Sequence, residues 1–256
     1  MKRQVLLFTA AIFMANLQAQ PTPTVVAEGF TTQILGVNFD SEGNMYIADV
    51  GTANNDGMVT RIDPAGNKTP FITGMPSAVT PVGELAGPVR LLFLANNKMM
   101  LISGEGTHPQ AEALLIFDKT DFSPGDPLTL ADVEETIKIG DFTHSQGFMN
   151  SNPFNVDWDA DGNIIVADAG GNSIIKRDKN TGALSIIKTL DAIPNPLPFG
   201  PPFMDPVPTD VLTKPDGSFY VSQLTGFPFV SGVSNVFNLD AAGNLSVFQS
   251  GFTLVT

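Results

Sequence analysis

The chain contains no cysteine. Disulfides, thiolate zinc sites and thiol nucleophiles are therefore excluded, and the fold must rest on apolar burial. Positive charge is also scarce: 13 Lys and Arg stand against 26 Asp and Glu, a formal net charge of −13. Such a surface repels nucleic acid and anionic membranes, so neither is expected as a partner. Beyond the N-terminal segment no apolar run is long enough to span a bilayer. Nucleophile-elbow, phosphate-loop, HExxH and EF-hand patterns are missing too. The acidic stretch DVGTANNDG (49–57) lacks EF-hand spacing and its terminal Glu.

What the chain does have starts with a targeting pattern. Lys2 and Arg3 precede a short apolar run from Val5 to Ala15, and small residues lie before Gln20. This reads as a secretory signal over 1–19, with a propeller domain over 20–256 exported to the periplasm or the medium. Cleavage removes two cations and leaves 11 basic against 26 acidic residues.

Four segments then repeat one phrase: FDSEGNMYIAD (39–49), FLANNKMMLIS (93–103), WDADGNIIVAD (158–168) and TKPDGSFYVSQ (213–223). Each is strand, tight turn, strand. The turn residues Gly43, Asn97, Gly162 and Gly217 align all four. A sheet-forming repeat of this length predicts an all-β fold, a β-propeller with one four-stranded antiparallel blade per repeat. Both faces of the strand after each turn are largely apolar, as packing between neighbouring blades requires. A second hairpin follows in each repeat. Its first strand closes on Asp63, Asp118, Asp178 or Asp240, which turn chemistry explains. The outer strands read TPFIT (69–73), ETIKIG (135–140), LSIIK (184–188) and LSVFQS (245–250). Blades are thus expected near 36–74, 88–140, 153–189 and 208–251, with a lone outer strand over 24–35.

The phrases GNIIVADAGGNSIIKRD (162–178) and PTDVLTKPDGSFYVSQ with its continuation to 256 resemble the ScyD/ScyE family of exported propeller proteins. The second blade departs from the pattern at Asn96-Asn97. More distantly, the repeats are similar to NHL repeats and to six-bladed TolB-like and SMP-30/gluconolactonase propellers. The resemblance implies export and a six-bladed type of ring, of which about four blades are present. It leaves two functions open: a module that binds a small molecule or protein at its channel mouth, or a divalent-metal-dependent lactonase.

In a propeller, the loops approaching the innermost strand and those leaving the second strand share one face. The approach column is Gly36, Arg90, Asn155 and Asp210, the last three each two residues after a proline. The exit column is Asp49, Ser103, Asp168 and Gln223. Asp49 and Asp168 also suit strand ends, where Asp bonds backbone. Glu105 and His108 in the loop 104–112, and His144 in the loop 141–148, map to the same face. They suit an acid–base or metal role, or plain solvated loops. Gluconolactonase-like proteins hold a cation near the channel with carboxylate and amide oxygens. The resemblance makes Asn155 and Asp210 candidate ligands, with calcium the possible ion. Two long loops, 193–208 with seven prolines and 224–232, carry Phe199, Phe203, Phe227 and Phe229. These form either an apolar rim for a ligand or a plug over the channel.

Overall fold

The computed structural model describes residues 24–30 and 32–256. The signal segment expected over 1–19 lies outside them. Four antiparallel four-stranded sheets follow one another along the chain as the blades of a β-propeller.

Blade 1 is β1 (Ile34–Phe39), β2 (Met45–Asp49), β3 (Gly57–Ile62) and β4 (Lys68–Met75), paired in chain order. A two-stranded ribbon, β5 (Ala78–Val79) with β6 (Leu85–Ala86), leads to the next blade. Blade 2 is β7 (Pro88–Phe93), β8 (Lys98–Ser103), β9 (Ala113–Asp118) and β10 (Glu135–Lys138). Helix α1 (Ile139–Ser145) connects it to blade 3, which is β11 (Pro153–Trp158), β12 (Ile164–Asp168), β13 (Ser173–Arg177) and β14 (Leu184–Thr189). A second ribbon, β15 (Ile193–Pro194) with β16 (Phe203–Met204), precedes blade 4: β17 (Pro208–Thr213), β18 (Phe219–Gln223), β19 (Ser234–Leu239) and β20 (Leu245–Phe252).

Two expectations change. Residues 24–30 form no strand; only Ile34 and Leu35 of the expected outer strand are extended, and they begin the innermost strand β1. Ile139 and Gly140, read as the end of an outer strand, open α1 instead.

The turns show why the phrase repeats. In blade 1 the Asp40 carboxylate accepts the N–H groups of Glu42 and Asn44, both at 3.0 Å, and Gly43 takes φ +82°. Asp159 and Gly162 repeat this in blade 3. Blade 2 reaches the same reversal with Asn96 at φ +58° and Asn97 at φ +59°. Asn tolerates the left-handed region better than most residues, so Asn-Asn can stand where the other blades use Gly. Asp63, Asp118, Asp178 and Asp240 all accept backbone N–H groups in their turns.

Each blade-to-blade junction has its own core. Tyr46, Phe71, Leu101 and Phe117 pack between blades 1 and 2. Ile102, Leu114, Val156 and Val166 pack between blades 2 and 3. Ile165, Ile174, Val211 and Val221 pack between blades 3 and 4. This is why both faces of the second strand are apolar. The outward faces of the first and fourth blades are uncovered: Phe39 is 58% exposed and Leu212 is 59% exposed.

Candidate functional site

The site begins with a proline. Pro88, Pro153 and Pro208 have no N–H to give the ladder, and in each blade the register slips just after them. The slip is a bulge, and bulges re-aim the following side chain. The re-aimed residues are Arg90, Asn155 and Asp210. Ile34–Gly36 carries the same slip in blade 1.

Arg90 lines a cavity of about 560 Å³. All four blades contribute to its wall: Leu35 from β1, Arg90 from β7, Phe154 from β11 and Leu224 just after β18. Glu105 and Asn152 line it as well. Burial pushes the Glu105 carboxyl up, and the charges of Glu112, Glu84 and Asp168 push it the same way.

Asn155 and Asp210 are brought together but do not line this cavity. The Asn155 side-chain amide donates to Asp210 Oδ1, and its own oxygen accepts Val156 N–H at 2.9 Å. Burial raises the Asp210 carboxyl, against the Asn155 bond and the positive charge of Arg90, which lower it. Calcium takes about six to eight oxygen ligands. Here the amide oxygen is engaged, the amide nitrogen faces the carboxylate, and a guanidinium already acts on it. That donor set does not fit calcium. Among the described residues no group of three or more His, Cys, Asp and Glu side chains could hold a metal ion. The lactonase reading therefore gains no ligand set from these side chains.

The exit column lies under the surface. Asp49 (1% exposed), Ser103 (1%), Asp168 (0%) and Gln223 (2%) are buried, and none of them lines the cavity around Arg90. Asp49 and Asp168 tie loops that cross the strand ends, Gln223 accepts from Asn235 on the neighbouring strand, and the Ser103 hydroxyl has no hydrogen-bond partner among the described residues. Asp49 accepts from the Thr32 hydroxyl at 2.6 Å and Gly51 N–H at 3.1 Å. Asp168 accepts from the Thr143 and Ser151 hydroxyls and from Asn152 and Gly171 N–H. Burial raises its carboxyl; these four bonds oppose the shift without cancelling it.

The histidines separate. His108 lines another groove, with Asn55 and Ser77, and its Nδ1 accepts Gln110 N–H at 3.1 Å. His144 pairs with Glu112, Nε2 to Oε2 at 2.8 Å, and its Nδ1 faces the Phe148 carbonyl oxygen at 3.1 Å. A carbonyl only accepts, so Nδ1 carries a proton. Both ring nitrogens are engaged, so His144 is a latch between α1 and the loop before β9. Glu112 was not legible as a partner, because 32 residues separate it from His144. It holds φ +52°, and a side chain at Gly140 would overlap its carboxylate, so the pairing depends on that glycine.

The Phe148 bond and then the Glu112 bond raise His144 above its ordinary value of 6.5. The stabilisation is fully present below about pH 6.5 and is lost as pH rises through the raised value. Unfolding free energy is expected to fall slightly from pH 6 to pH 9. The imidazole is partly exposed, so the drop is about 0.5 kcal/mol. His144→Gln should abolish it in urea melts at the two pH values; an unchanged slope would remove the latch.

Phe199 (57%), Phe203 (57%), Phe227 (56%) and Phe229 (46%) are exposed, and none of them lines the cavity around Arg90. The Asn195 side-chain amide holds the loop shape by donating to the Phe199 and Pro201 carbonyls, each at 2.8 Å.

No family model matches the chain, and no curated protein matches it in sequence. Solved structures do. A protein of unknown function from Bacteroides thetaiotaomicron matches 87% of this chain with 44% of its own, at 14% identity and TM-score 0.52. Virginiamycin B lyase from Staphylococcus aureus matches 85% with 56% of its own, at 14% identity and TM-score 0.47. A protein of unknown function from Bacteroides caccae matches 85% with 66% of its own, at 13% identity and TM-score 0.49. The chain spans 44% and 56% of the length of the first two. At such identity the likeness concerns fold alone, and by fold this chain is a β-propeller.

Proposed function

We propose that this chain is an exported propeller of ScyD/ScyE type that binds a small molecule at its channel mouth. One observation supports this above the others: the cavity of about 560 Å³ has walls from all four blades. That volume is in the range of about 300–1,000 Å³ typical of ligand pockets. Its wall mixes apolar residues such as Leu35 and Phe154 with polar and charged ones, Arg90, Glu84, Glu105 and Asn152 among them, which can orient a ligand. Export rests on the N-terminal pattern alone. Among the described residues no helix is long and apolar enough to cross a membrane.

The test is a ligand-observed NMR screen of charged, neutral and zwitterionic fragments. The second protein is Val82→Trp, which crowds the cavity from a position 80% exposed and so should fold normally. Binders to the parent that are lost in the variant are the expected result. Hits that bind both proteins equally, or no hits at all, would refute the reading. Protein recovered from the periplasm or medium is expected to begin at Gln20.

A further inference from the structure

The charges on the cavity wall are unpaired. Among the described residues the Arg90 guanidinium makes no hydrogen bond and no ion pair, although its charge is felt by Asp210. Glu105 lines the same cavity, and its carboxylate has no hydrogen-bond or ion-pair partner among the described residues. The charged groups acting on it are other carboxylates, Glu112, Glu84 and Asp168. A guanidinium and two carboxylates, those of Glu84 and Glu105, thus line one space with no ion pair among the described residues. Half-buried charges of this kind are costly unless something pairs with them.

The backbone that carries each group is held in place. Gly36 lies against the Arg90 backbone and Cβ, where a side chain would collide with the Val89 carbonyl. Pro88 and the bulge fix the approach of β7. The Glu105 backbone N–H donates to the Asn152 side chain at 3.2 Å, and Asn152 N–H is itself tied to Asp168 at 2.7 Å. The rest of the wall is mixed: Leu35, Val89, Phe154 and Leu224 supply apolar surface, and Gln33, Thr80, Glu84 and Asn152 supply polar groups. The whole chain carries −13. A plain anion would approach Arg90 against that field, whereas a ligand with both charges feels little net repulsion.

We propose that the mouth cavity takes a zwitterion with an apolar body, of short-peptide kind, its carboxylate on Arg90 and its ammonium on Glu105. This rests on the channel-mouth reading and deepens it. The probe is trileucine, compared by calorimetry with N-acetyl-trileucine, which lacks the ammonium, and trileucine amide, which lacks the carboxylate. Each cap is expected to weaken binding about tenfold or more, in line with the loss of one charge-assisted contact. Arg90→Gln should erase the difference between acid and amide. Glu105→Gln should erase the difference between free and acetylated amine. Equal binding of all three peptides, lost in Val82→Trp, would overturn the zwitterion while leaving the mouth as a site. Absence of trileucine binding, with other fragments bound at the mouth, would overturn it too. No binding by any compound would sink both readings. The capped peptides give the answer even if a variant fails to fold.

Discussion

Asp168→Ala is expected to lower unfolding free energy by about 3 kcal/mol or more, read by urea denaturation. The carboxylate is fully buried and accepts four bonds: Asn152 N–H at 2.7 Å, Gly171 N–H at 3.1 Å, the Thr143 hydroxyl at 2.7 Å and the Ser151 hydroxyl at 3.0 Å. Alanine leaves all four donors without their acceptor, at about 1–3 kcal/mol for each buried group that stays unsatisfied. Two effects reduce the sum. Hydroxyls can rotate, and removing a buried charge relieves its desolvation, which is what raises this carboxyl in the native state. Asp168→Asn is the control. Its oxygen can keep the two backbone donors while its amide faces hydroxyls able to accept. That variant is expected to lose about 1 kcal/mol and to keep any ligand binding, because the side chain does not reach the cavity. An alanine variant within about 1 kcal/mol of the parent would refute the tie.

Phe71→Ala is expected to cost about 3–5 kcal/mol, the range for truncating a buried phenylalanine. Phe71 stands on β4 with no exposed surface. Its ring meets Tyr46 edge-on at 4.8 Å and Phe122 at 4.6 Å. Those rings belong to both blades, so the cavity left behind would open the junction between blades 1 and 2. The backbone around it is also committed, since the Phe71 carbonyl accepts Leu128 N–H at 3.0 Å. Phe39→Ala supplies the contrast. Its ring is 58% exposed on the outward face of blade 1, and the loss should stay under about 1 kcal/mol. Equal losses for the two variants would mean that the junction does not have the core described.

Much of the site's scaffold was legible because it follows from local rules. Prolines two residues before Arg90, Asn155 and Asp210 mark where the ladder slips, and the slip aims those residues inward. The exit column was harder. Asp168 ends its strand with the same chemistry whether or not a loop lies above it, and α1 with residues 151–152 covers it. The Phe loops posed the same problem: their composition suits a rim as well as a plug, and in the structure the rings are exposed and line no part of the cavity around Arg90.

The sequence by itself determined the repeat, the four-stranded blade, its turns and the absence of thiol chemistry, because each depends on periodicity, φ preference or residue type within a few neighbours. Only the tertiary structure decided that Arg90 and Glu105 share a cavity without pairing, that His144 meets Glu112, and that Asn155 closes on Asp210. Asn155 and Asp210 lie on different blades, so their distance is set by how the blades pack, whereas the loops and helix that leave the strands of blade 2 bring Arg90 near Glu105 and His144 onto Glu112; no local rule contains either closure.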